Sequence, residues 1–92
     1  MERFYDDENG YLRWVTANSA GYVLNCYKAP GTGGGPYMLH RADCYTLDSK
    51  NLTTGQYYKV CSNKREELIS WAEQERADRG FDKLRECSRC KP

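Results

Sequence analysis

The chain has a single histidine, no long apolar run and almost no net charge, and each shortage narrows what it does. His40 stands without a second imidazole to act as general base, which argues against hydrolytic or proton-transfer catalysis. The opening "MERFYDDENG" contains no apolar h-region of an export leader, and no stretch approaches the roughly 18 apolar residues of a membrane span. The expectation is a cytoplasmic chain with no membrane association and no small-molecule substrate. The glycine-rich "APGTGGGP" (29–36) lacks the Gly-Lys-Ser/Thr ending of a phosphate loop and runs into Pro36 rather than a helix, so it reads as a loop between strands. A net charge of +1 neither requires nor forbids a polyanionic partner.

What the chain does have is cysteine. Five occur in 92 residues, an odd number, in a domain too small to bury a large core unaided. In a reducing compartment, close cysteine pairs read as metal ligands or reactive thiols more readily than as disulfides. Two short fragments stand out, "LHRADC" at 39–44 and "CSRCKP" at 87–92. Zinc takes four thiolate or imidazole ligands, commonly as two short turns that each give a pair. His40 with Cys44 forms one such pair and Cys87 with Cys90 the other. A Zn²⁺ ion held by all four would crosslink distant segments, and its binding energy would become folding energy. Cys61 competes with His40 as a ligand, although its mid-strand position also suits a small buried thiol, and the same holds for Cys26.

The segments between these fragments suggest an α+β fold, an antiparallel sheet of about 3–4 strands with one main helix near the C-terminus. Residues 1–10 read as an acidic tail, with Glu2, Asp6, Asp7 and Glu8 against Arg3. "YLRWVTA" (11–17) and "GYVLNCYK" (21–28) are rich in aromatic and β-branched residues, which predicts a β-hairpin over 11–28. "PYMLHRA" gives a third strand, "CYTLDSKNLTTG" a polar excursion and "QYYKVCS" (56–62) a fourth. The period then changes. "NKREELISWAEQERADRG" opens on an Asn63/Glu66 capping-box pattern, closes at Gly80, and places Leu68, Ile69, Ala72 and Arg76 on one face with Trp71 at its shoulder.

Residues 37–92 resemble the Ada-type zinc-binding module, the methyl-phosphotriester repair domain family, and related small zinc modules of bacterial nucleases. The likeness lies in His40, Arg41, Cys44, Cys87, Arg89, Cys90 and Pro92, with a strand and a helix between the two pairs. It does not extend to residues 1–36. In that family the first ligand is the cysteine that accepts a methyl group from DNA, whereas here the position holds His40, which cannot do so. The resemblance therefore implies the scaffold and an attraction for DNA without the repair reaction. Four protein ligands would also leave no open position on the metal for hydrolysis, so a non-enzymatic role is expected.

Two classes of function are compatible with these features. In one, Arg41, Arg85, Arg89 and Lys91 gather near the metal and meet phosphates of nucleic acid, DNA more readily than RNA, with tyrosines or Trp14 against sugars and bases. The same arginines would also serve simply to neutralise the anionic metal site. In the other, the chain is a small protein-binding adaptor or inhibitor, of the kind a bacterium or phage encodes as an accessory, using an aromatic hairpin face.

Overall fold

Alternation of side chains along the strands sets the architecture. In the computed structural model, which describes residues 1–28, 37–47, 52–79 (backbone only for 76–79) and 84–92, strand β2 (Tyr22–Tyr27) pairs antiparallel with both β3 (Met38–Arg41) and β4 (Tyr57–Ser62). Val23 lies opposite Cys61 and His40, while Leu24 lies opposite Val60 and Leu39. The first trio points to one face of the sheet and the second to the other, because neighbouring residues on a strand alternate. Each face is covered by one helix. Tyr11, Trp14 and Val15 of α1 (Glu8–Ala17) join Phe4, Val23 and Cys61 in one apolar cluster, and Leu68 and Ala72 of α2 (Arg65–Arg79) join Leu24, Leu39, Tyr58 and Val60 in the other. Tyr37 stacks on Trp71 with ring centroids 5.9 Å apart, seating α2 on the sheet.

The chain is thus α+β, with a mostly antiparallel sheet and its longer helix near the C-terminus. Among the described residues the sheet has five strands, ordered β1-β4-β2-β3-β5, because two short edge strands add to the three longer ones. β1 (Glu2–Phe4) pairs antiparallel with β4 and buries Phe4, so the expected acidic tail is in part structural. β5 (Arg85–Glu86) pairs with β3 in parallel, with Met38 opposite Arg85 and Leu39 opposite Glu86. A salt bridge from Arg65 to Glu86 ties α2 to this edge strand.

The expected hairpin over 11–28 does not form. Its first half, Tyr11–Ala17, is helical, and β2 takes β3 and β4 as partners instead. Two local features outweigh the β-propensity of the residues. Asp7 caps the helix by accepting the Gly10 amide at 2.9 Å, and the spacing of Tyr11, Trp14 and Val15 gives an apolar face at helical period. A Cβ at Gly10 would collide with the Asp7 carboxylate, so a larger residue there would displace the capping side chain. Glu8, in the first turn, accepts from the Thr53 amide, the Thr53 hydroxyl and the Thr54 amide, so 52–54 is strapped onto α1. Burial alone would raise the Glu8 carboxyl, but those donated bonds prevail and hold it below the ordinary range.

The start of α2 also differs in detail. The Asn63/Glu66 box is not made; Ser62 Oγ accepts the Lys64 amide at 3.0 Å and donates to Glu67 at 3.1 Å, while Asn63 donates its side-chain amide to Asn18. Leu68 and Ala72 are buried as expected, with Ile69 and Trp71 half-buried. The glycine-rich loop 29–36, Gly80, the middle of the polar excursion at 48–51 and the side chain of Arg76 lie outside the described residues. Among the described residues no helix is long and apolar enough to cross a membrane.

Candidate metal centre

The parallel pairing of β3 and β5 builds the site. Strands running in the same direction end at the same side of the sheet, so the chain leaving β3 through His40 and the chain leaving β5 into Cys87 come out together. The Cys87 amide continues the ladder by donating to the Leu39 carbonyl at 2.9 Å. Beyond β3, the Cys44 amide donates to the Arg41 carbonyl at 3.0 Å, which folds the segment back toward His40 before a short 3-10 turn at Tyr45–Leu47. Beyond β5, the Lys91 amide closes on the Cys87 carbonyl at 3.0 Å, with Lys91 itself at φ 50°, a left-handed conformation more usual for glycine.

These two turns bring together the four side chains the sequence pointed to. The ligand atoms of His40, Cys44, Cys87 and Cys90 all lie within 4.8 Å of one another. Cys44 Sγ and Cys87 Sγ are 3.9 Å apart, far beyond the roughly 2.05 Å of a disulfide, and all five cysteines are free thiols. His40, Cys44 and Cys87 are buried and Cys90 is partly so. The four are close enough to hold a metal ion. Cys61 is not among them: it sits two strands away from His40, with Val23 of β2 between, and its burial beneath α1 is that of a small core thiol. Cys26 lies on the opposite face, packed under α2.

The surroundings suit cation binding. Burial, with a smaller contribution from the Lys59 charge, lowers the His40 pKa to about 4, so the imidazole is neutral and has a lone pair to give. Burial would raise the Cys87 thiol, but hydrogen bonding from the backbone of Cys90 and Arg89, with the Thr46 hydroxyl nearby at 3.8 Å, pulls it down. Cys90, despite a 3.2 Å hydrogen bond from the Arg41 amide, is pushed up by burial and by the neighbouring thiols. Backbone N–H groups aimed at sulfur in this way stabilise thiolate, the form that binds metal.

Comparisons with protein-family models, with curated proteins and with solved structures give no match. The Ada-type likeness therefore rests on the quoted residues alone. Of the basic residues expected near the metal, Arg41, Arg85, Arg89 and Lys91 are all exposed. Arg41 follows a ligand directly and its Nε lies 3.5 Å from Asp43 Oδ1, so part of its charge is answered within the chain. Arg89 and Lys91 flank Cys90, and Arg85 sits on β5; none of these three is paired with a carboxylate among the described residues.

One side chain at the site was not foreseen. Thr46 Oγ lies 2.9 Å from Cys44 Sγ, 3.3 Å from His40 Nδ1 and 3.8 Å from Cys87 Sγ. Nothing in "CYTL" marks a threonine for such a place, because the 3-10 turn that swings it back over the cluster carries no distinctive residue pattern.

Proposed function

We propose that the chain is a non-enzymatic, zinc-stabilised module that binds nucleic acid, DNA in preference to RNA. The observation that supports this reading is the meeting of four soft donors at a sheet edge whose exposed surface carries Arg41, Arg85, Arg89 and Lys91. Three thiolates and an imidazole are a donor set typical of structural zinc, and zinc–sulfur bonds of about 2.3 Å in a tetrahedron set sulfur–sulfur edges of about 3.8 Å. The Cys44–Cys87 separation of 3.9 Å fits that edge. Such an ion would have its four positions filled by His40, Cys44, Cys87 and Cys90, which leaves none for a water nucleophile. With His40 neutral, the filled site carries about one net negative charge, and backbone amides on sulfur offset part of it. The arginines and lysine around it are then left to meet phosphate oxygens. The Ada-type resemblance points to the same class of partner and, with histidine as first ligand, to binding without methyl transfer.

The test is ionic strength. If Arg41, Arg85, Arg89 and Lys91 each neutralise one phosphate of duplex DNA, log K falls against log salt with a slope of about −3.6. Neutralising Arg89 and Lys91 together then weakens binding to all sequences alike and flattens the slope by about 1.8. A chain showing no measurable affinity for duplex or single strands at low salt would end this reading. A protein-binding adaptor is the second reading. The aromatic hairpin face expected for it is absent, but Leu12 and Tyr45, 46% and 68% exposed, give it an alternative apolar surface. Under that reading Leu12→Ser and Tyr45→Ser abolish binding to the partner and leave the salt titration with DNA flat.

A further inference from the structure

Each sulfur of the cluster has a hydrogen-bond donor, and the donors are of two kinds. Cys90 takes the Arg41 amide at 3.2 Å, and the backbone of Cys90 and Arg89 acts to lower the Cys87 thiol, both from backbone in the turns. For Cys44 the partner is a side chain, Thr46 Oγ at 2.9 Å, and against a thiolate sulfur, which has no proton, the hydroxyl can only be the donor. A threonine hydroxyl has one proton to give, and the nearest acceptor is that sulfur; its lone pairs face the rest of the cluster, where His40 Nδ1 stands at 3.3 Å. Thr46 is itself exposed, whereas Cys44 is buried.

We infer that Thr46 is a positioning residue of the metal centre, giving its hydroxyl proton to the Cys44 thiolate and thereby holding that ligand in place and drawing electron density from its sulfur. The inference rests on the zinc reading above. A thiolate so engaged is stabilised without a backbone amide, and its rotamer is held before the ion arrives. The same hydrogen bond makes Cys44 a poorer nucleophile, in keeping with a structural rather than a methyl-accepting site.

The experiment uses the whole chain loaded with zinc and, separately, with cobalt. Thr46→Val keeps the shape and removes the donor; Thr46→Ser keeps the donor. Zinc affinity, read by competition with a chromogenic chelator, is expected to fall about 10–100-fold in Thr46→Val and to stay close to wild type in Thr46→Ser. The sulfur-to-cobalt charge-transfer band of Thr46→Val should shift to lower energy, since a thiolate without its donor is more electron-rich; a packing role alone would not move it. Zinc-loaded Thr46→Val should also be alkylated by iodoacetamide faster at Cys44. Equal affinity and an unshifted band in Thr46→Val would overturn the inference. Failure of the wild-type chain to take up one zinc would overturn the reading beneath it as well, and that result appears before any variant is made.

Discussion

Lys59 is the residue whose burial is hardest to anticipate. It sits mid-strand in β4 with 3% of its surface exposed, its Nζ donating to Asn25 Oδ1 at 2.6 Å and to the Leu52 carbonyl at 2.7 Å. Burial lowers its pKa from 10.5 to about 8, against nearby Cys26, Glu8 and Cys61, which act to raise it. A lysine harder to protonate in the fold than in the open chain destabilises the fold wherever both are charged, and that penalty is relieved as the folded form releases its proton first. Lys59 thus makes stability rise with pH between about 8 and 10.5, by an amount on the order of 3 kcal/mol. Cys61, pushed up to about 12 by burial, works in the opposite direction above the ordinary thiol range. The informative quantity is therefore a difference. In denaturant unfolding, the stability of wild type relative to Lys59→Met should rise steadily across this range, and a constant difference would refute the assignment. By contrast, His40, Cys44, Cys87 and Cys90 were legible in the sequence because a ligand pair is a local pattern, readable within a turn. Lys59 and Thr46 were not, because their roles depend on neighbours far along the chain or on the path of one short turn.

At the scale of the element, length and period decide what can be read. α2 is long, and its apolar positions Leu68, Ile69 and Ala72 recur at helical spacing, so its place and buried face could be read from the sequence. β1 and β5, of 3 and 2 residues, are too short to show any alternation, and only their partners β4 and β3 make them strands. α1 is the instructive case. Its Tyr, Trp, Val and Thr favour strand by composition, yet Tyr11, Trp14 and Val15 fit a helical face, and "DDENG" places a cap residue ahead of them. The cap tips the balance, so α1 should depend on it more than a helix of strong intrinsic propensity would. Asp7→Ala is expected to lower unfolding free energy by about 1 kcal/mol, with Asp7→Asn close to neutral because asparagine caps nearly as well. Chemical denaturation measures both; an Asp7→Ala chain as stable as wild type would mean that packing of Tyr11 and Trp14 alone sets this helix.

The described residues form two apolar layers on either side of one sheet, and the candidate metal centre belongs to only one of them. Cys44 and Cys87 lie in the cluster under α1, together with Ala42 and Leu47, whereas the cluster under α2 contains no ligand. β2 and β4 are paired over six residues and need nothing from the site, but β5 is held to β3 by two register pairs and by the bond from the Cys87 amide to the Leu39 carbonyl. Chelation should accordingly act unevenly. With the proposed ion removed, the buried His40, Cys44 and Cys87 and the partly buried Cys90 lose the bonds that would offset their burial, and the β3–β5 edge loses its clamp. Hydrogen exchange of the amides of Arg41, Cys44, Cys87 and Lys91 should accelerate by orders of magnitude on adding chelator, while Leu24 and Val60 accelerate only by the drop in global stability. Restoring zinc should restore protection at the edge first. Uniform acceleration throughout the sheet would instead show that the ion holds up the entire fold, and no acceleration anywhere would show that the four side chains meet without needing one.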